Sequence, residues 1–303
     1  MACAQGAQST FYTKAGTGTP DYTTGTIERF EFVREGVRRR NSIMVPDGIR
    51  GTRSESSERA RFGVNVIGGP IHMHADSVML DAWLPRILGA NESTNSFALA
   101  ETLPAFGCLF DRVTEKFEYR DCYVNRALFH GVAGPGVGLL DLTVDIMAQS
   151  EATGTALPSG VSLSVSAASS PYTHYEGVHT FAGSTREVKE IWIMIHNHLR
   201  PRWVNSLNAT ALCPTRRTVA VRARLPYTSD TKNLYAQAVG GAAGTSVFTS
   251  AAGDFSTTFT YGRLQAPAES PVVRGKTEID IIVDAVARSV STTKELVVTN
   301  VSS

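Results

Sequence analysis

Leu140-Asp141-Leu142-Thr143-Val144-Asp145-Ile146 is the stretch that decides the fold class of this chain. Apolar and polar residues alternate without a slip, so an extended backbone here has one apolar and one polar face. Thr143, Val144 and Ile146 are β-branched, which suits a half-buried strand. The same period runs through Arg61-Phe62-Gly63-Val64-Asn65-Val66 and Val219-Ala220-Val221-Arg222-Ala223-Arg224-Leu225. It returns in Thr258-Phe259-Thr260-Tyr261 and Glu278-Ile279-Asp280-Ile281. Residues 191–195 are apolar at every position, so this strand lies deep in a core or under a partner. The chain is therefore predicted to be mainly β.

Two segments change period. Residues 76–88 (DSVMLDAWLPRIL) place Met79, Leu80, Trp83, Leu84, Ile87 and Leu88 at helical spacing. Asp76 or Ser77 is the N-cap and Gly89 the stop, and Pro85 is expected to kink or shorten the last turn. Residues 229–239 (SDTKNLYAQAV) repeat this design, with Ser229 or Asp230 as cap and Gly240 and Gly241 as stop.

Around these helices the two halves share an order. Glu28-Arg29-Phe30-Glu31-Phe32 opens the first half and Lys189-Glu190-Ile191-Trp192-Ile193 the second. An Arg-containing loop follows in each, 34–57 and 196–217, then a strand, the capped helix, a loop and a long closing strand. The order predicts an internal duplication: two copies of one mainly-β domain with a helix each. Gly-, Ser- and Thr-rich stretches set the boundaries. They give a flexible arm at 1–25, a first β domain at 26–150, a linker region at 151–185 and a second β domain at 186–303.

Composition narrows the class. The 303 residues are 42% hydrophobic and 19% charged, which excludes a disordered chain. No run approaches the roughly 18 uncharged apolar residues of a membrane span. Residues 1–10 carry neither a basic nor an apolar leader region, so no secretory signal is expected. Lys and Arg total 29 against 28 Asp and Glu, a balance that disfavours a strongly basic nucleic-acid binder. Cys3, Cys108, Cys122 and Cys213 stand far apart and read as reduced thiols, with Cys108 and Cys122 the one pair worth checking for a bridge.

The chain lacks the usual signatures of catalysis. There is no G-x-S-x-G elbow, no phosphate loop and no G-x-G-x-x-G. His72-Met73-His74 and His196-Asn197-His198 each put two imidazoles on one face of a strand, yet no third ligand stands nearby in sequence. No enzyme, metal or cofactor is expected. A carbohydrate-binding or hydrolytic β-protein needs clustered exposed aromatics or a carboxylate pair. Trp83 and Trp192 are instead expected in the core, and Trp203 in a loop at a subunit contact.

One charge cluster remains. Arg34, Arg38, Arg39 and Arg40 are followed by Arg50 and Arg53, with Asp47, Glu55 and Glu58 nearby. The second long loop carries Arg200, Arg202, Arg216 and Arg217. Each loop is either a solvated segment or one that docks on an acidic patch of another subunit through Arg–carboxylate pairs.

The opening strand, long loop and helix of each half resemble the tail tube proteins of long-tailed bacteriophages, in the two-tube-domain type of about 300 residues. In the second half Pro201, Pro214, the 229–239 segment and the ending Glu295-Leu296-Val297-Val298-Thr299-Asn300 carry the likeness. The resemblance implies a β-sandwich or split-barrel domain with one flanking helix. It implies rings closed edge to edge around a β-barrel wall and stacked into a hollow conduit for DNA delivery. A subunit with two copies would form a trimer with pseudo-sixfold symmetry. The loops 34–57 and 196–217 would contact the neighbouring ring. The partners implied are the chain itself, a tape measure protein and tail terminator or initiator proteins, with localisation in the virion tail after assembly in the host cytoplasm. DNA would pass without sequence-specific binding, so the arginines are expected at ring contacts or outside rather than along the lumen. The alternative within the same fold is a terminator, completion protein or other ring-forming virion protein.

Overall fold

The alternation at 140–146 lies within a strand, Asp141–Ala148, in which Leu142, Val144, Ile146 and Ala148 are buried and the residues between them are not. This computed structural model describes residues 6–48, 54, 57–93, 95–163, 170–232, 234, 241–267, 270–273, 278–290 and 294–302. Its elements are mainly β, in large antiparallel sheets.

The first strands are β1 Thr10–Ala15, β2 Ile27–Phe30, β3 Arg34–Glu35, β4 Arg38–Arg40, β5 Ile43–Met44 and β6 Arg61–Phe62. Then come β7 Val66–His74, helix α1 Ser77–Leu88, β8 Gly89–Ser93, β9 Ser96–Leu99 and β10 Phe106–Asp111. β11 Lys116–Val132, β12 Asp141–Ala148, β13 Ser150–Thr153, β14 Val178–Phe181 and β15 Ser184–Arg186 follow. The remainder are β16 Glu190–His196, β17 Leu199–Arg202, β18 Ala211–Pro214, β19 Thr218–Pro226, β20 Ala242–Thr249, β21 Ser256–Gln265, β22 Asp280–Arg288 and β23 Leu296–Val301.

The large sheet has the neighbour order β7, β12, β11, β16, β19, β22, with β3 and β4 lying on the outer edge of β7. It continues from β22 through β21 to β23 and β9. In the first half, the strand before the helix, β7, pairs with the closing strand β12, which pairs with β11. In the second half β19 pairs with the closing strand β22, which pairs with β21. The halves meet through β11 and β16, antiparallel from Arg126↔His196 to Val132↔Glu190.

β11 is long enough to serve two sheets. Its first part pairs with β10 and β13, and its second with β12 and β16. Asp121, with φ 49, lies between the two parts. β1 and β2 extend the smaller sheet beyond β10. Thr10–Ala15, placed by composition in a flexible arm, is thus a paired strand with Phe11 fully buried, because an aromatic in a polar stretch still gains most from burial. Tyr172, placed in the linker, is likewise buried, and its backbone bonds Ala75 and Leu140.

The strand expected at 61–66 is only the two-residue β6, and the long strand begins at Val66. That strand contains Gly68-Gly69-Pro70, which strand propensity rejects. Tight packing explains it. A Cβ on Gly69 would stand 2.2 Å from the Gly36 carbonyl oxygen, and one on Gly68 2.3 Å from that of Ile146.

Helix α1 forms as expected. Asp76 caps it, its side chain accepting from the Met79 N–H at 2.8 Å, and Gly89 ends it at φ 103. Pro85 sits in the last turns without ending the helix, since the buried Ile87 and Leu88 hold those turns on the core. Trp83 is fully buried against Phe11, Phe30 and Phe106, with ring centroids 5.8–6.3 Å away. The buried Arg86 lies over the Trp83 ring at 5.4 Å and is neutralised by Glu28. The second helix, expected at 229–239, falls mostly outside the described residues.

Trp192 corrects a sequence expectation. Ile191, Ile193 and Ile195 fill the core, but Trp192 and Met194 occupy the opposite, half-exposed face of β16. Period two forces this, since alternate residues of β16 face the core and the others face the side of the sheet that the described residues leave half-exposed.

Candidate assembly surface

Register defines two ends of the large sheet. β7 starts at Val66 beside Arg40, while β16 ends and β19 begins at the same end through His196↔Thr218. The other end carries His74, Asp141, Val132, Glu190, Pro226 and Asp280. Nine residues of β7 separate the ends by ~30 Å.

The first end gathers both Arg-rich loops. Arg38, Arg39 and Arg40, all three exposed, form β4 beside Gly68, Ile67 and Val66 at this end, whereas Arg34 lies on β3 opposite His72, toward the other end. Beyond β4 the chain makes the β5–β6 ribbon, with Ile43 and Phe62 paired and each 65% exposed. Arg200 and Arg202 lie exposed on β17, which pairs with β18 in a second ribbon. Trp203 follows it, and Val204 and Leu207 are 57% and 54% exposed. The loops touch. Asn65 N–H donates to the Leu207 carbonyl at 2.7 Å, Trp203 Nε1 donates to the Asn65 carbonyl at 3.2 Å, and Asn65 Nδ2 donates to Asn208 Oδ1 at 2.7 Å.

Not every arginine there is free. Arg39 lies 3.6 Å from Glu151, and Arg217 donates to the Ala100 carbonyl at 2.7 Å near Glu101. Among the described residues Arg38, Arg40, Arg200, Arg202 and Arg216 have no carboxylate partner. Arg50 and Arg53 lie outside the described residues. Sequence reasoning found the arginines but missed the apolar ribbon between them. The exposed Ile43, Met44 and Phe62 sit in a polar, Arg-rich context, where no periodicity marks them.

The opposite end differs in charge. Glu187 and Glu278 are exposed there and Asp280 is half-buried, with Lys189 bridging the last two, 2.6 Å from Asp280. Val137 and Tyr175 stand out from it at 60% and 76% exposure.

The outward face of the sheet between the ends is charge-balanced. Arg126 Nε donates to Asp145 at 2.7 Å, and Arg224 lies 3.7 Å from Glu190 and 3.8 Å from Asp280. Arg222 lies over the Trp192 ring at 5.3 Å, and His130 stacks on the same ring with centroids 5.1 Å apart. His74 Nδ1 meets Asp141 at 2.9 Å, and His72 Nδ1 meets the Thr143 hydroxyl at 2.9 Å. Burial, then the Arg34 guanidinium, holds the His72 imidazole below its ordinary value. No group of three or more His, Cys, Asp or Glu side chains able to hold a metal ion stands among the described residues. Cys108 and Cys122 are buried free thiols. Among the described residues no helix is long and apolar enough to cross a membrane.

Comparison with protein-family models and with curated proteins found no match for this chain.

Proposed function

We propose that the chain is the structural subunit of a long-tailed phage tail tube, stacking head to tail into a hollow conduit. The observation that carries this reading is the pair of unlike ends. One presents Arg38 and Arg40, without a carboxylate partner among the described residues, around exposed Ile43 and Phe62, and the other presents exposed Glu187 and the Lys189-bridged Glu278 and Asp280 around exposed Val137 and Tyr175. Unlike ends favour heterologous contacts, which generate rings or filaments rather than closed twofold dimers. Exposed apolar groups rimmed by charge mark an interaction site.

Two further features support it. The β11–β16 join is an edge-to-edge pairing of strands from the two halves, the contact that ring closure requires between chains. The neighbour order β7–β12–β11 in the first half is matched by β19–β22–β21 in the second, each with the half's closing strand in the middle, in keeping with a duplicated tube domain and a pseudo-sixfold trimer. The balanced outward face of the sheet suits a lumen, since its cations are offset by neighbouring carboxylates or stacked on a ring and offer little to phosphates.

Negative-stain microscopy of the purified protein at rising concentration tests the proposal. Hollow tubes with a regular axial repeat are the expected result. Single closed rings that never stack would favour a terminator instead, and particles without rotational symmetry at any concentration would refute the assembly reading.

A further inference from the structure

The His196-Asn197-His198 motif sits at the arginine-rich end and has no role so far. Asn197 holds it in place. Its buried Nδ2 donates to the Ile87 carbonyl at 3.1 Å and the Val124 carbonyl at 3.0 Å, tying the end of β16 to α1 and β11. His198 then adopts φ 45, and the Leu199 N–H is fixed by Asn125 Oδ1 at 2.8 Å. The result is two half-exposed imidazoles stacked with centroids 3.7 Å apart and planes at 21°.

Their surroundings are cationic. Arg126 of β11 and Arg216, just before β19, face the pair. The one carboxylate near them, Asp145 of β12, is already engaged by Arg126. His198 Nε2 meets the Thr218 hydroxyl at 3.1 Å, while the His196 side chain makes no hydrogen bond among the described residues. Arg216 has no carboxylate partner among them either. Burial first, then the His198 ring and the Arg126 guanidinium for His196 and the Arg216 guanidinium for His198, holds the two imidazoles below their ordinary value.

We infer that His196, His198 and Arg216 form a receptor for a carboxylate from the acidic end of a second copy, and that one proton is taken up as the contact forms. This rests on the head-to-tail reading above. Charge complementarity names the occupant: Glu187, exposed and without a cation partner among the described residues, belongs to the end that stacking would bring here. A carboxylate set beside the pair favours the imidazolium, so docking raises affinity for a proton that the free subunit rejects. Two rings 3.7 Å apart do not both charge readily, so the uptake is one proton per contact.

Linkage fixes the sign. Association that takes up a proton strengthens as pH falls, by at most about tenfold in affinity per pH unit for one proton. The test is the critical concentration for assembly, read by sedimentation between pH 8 and pH 6. For the wild-type chain it should fall severalfold across this range. In the His196→Asn, His198→Asn double variant it should be flat, and Asn tolerates the positive φ at 198. Arg216→Gln should move the pH midpoint upward, because one repelling cation is gone. Assembly of the wild type that ignores pH, or a double variant with the wild-type slope, overturns this inference and leaves stacking intact. Absence of assembly at every pH overturns the stacking reading and this inference with it.

Discussion

Acid should weaken this fold through one buried imidazole, His179. The ring is 3% exposed, neither of its nitrogens has a hydrogen-bond partner, and burial lowers its value to about 3. It lies 5.4 Å from the His174 ring and 5.5 Å from Phe248. His174 Nε2 donates to the Val188 carbonyl at 2.7 Å, and His130 and Glu190 are the titratable groups beside His174. A folded-state value below the unfolded one means that the unfolded chain binds the extra proton. The contribution is therefore fully present above about pH 6.5 and is lost as pH falls toward about 3. With 1.36 kcal/mol per unit, the loss is about 2 kcal/mol at pH 5 and about 5 kcal/mol below pH 3. For a chain of this length that corresponds to roughly 3 °C in melting temperature at pH 5. Thermal melts from pH 8 to pH 4, on wild type and His179→Leu, measure it. The variant has no proton to bind, so its pH slope should be shallower by this amount. Parallel slopes for the two proteins would refute the assignment to His179.

Trp83→Ala should cost roughly 3–5 kcal/mol, since the ring is fully buried among three aromatic neighbours; an unchanged denaturation midpoint would contradict that packing. Replacing Arg38 and Arg40 by Glu should leave the melting temperature within about 2 °C and impair tube growth, because both are exposed and neither has a carboxylate partner among the described residues; normal tubes would remove β4 from the contact. Gly69→Ala should cost roughly 1–3 kcal/mol by forcing β3 and β4 off β7, read as a shift in urea midpoint, and no shift would show that the strands do not approach so closely. In the native protein a thiol reagent at pH 8 should reach Cys213 well before Cys108 and Cys122, whose burial shields them; equal rates would place those two thiols at the surface.

Much of the fold was legible in single segments. Alternation marked β12 and β19, and helical spacing with Asp76 and Gly89 marked α1. Both signals are local, because a residue's face follows from its position along one strand or one helix. The arginines of the candidate surface were legible for the same reason, as runs of one residue type. The misses have a common cause. Thr10–Ala15 looked like an arm, and the strand before the helix was expected at 61–66 rather than through Gly68-Gly69-Pro70, because the pairing partners, β10 and the β3–β4 edge, are distant in sequence. Trp192 looked buried because composition cannot say which sheet face is covered. Only the tertiary structure decided that β11 joins β16, that the two long loops meet at Asn65 and Leu207, and that His174 stacks on His179. Periodicity tells a strand which side to bury. It does not tell it which strand lies next to it, and that choice is made by packing over the whole core.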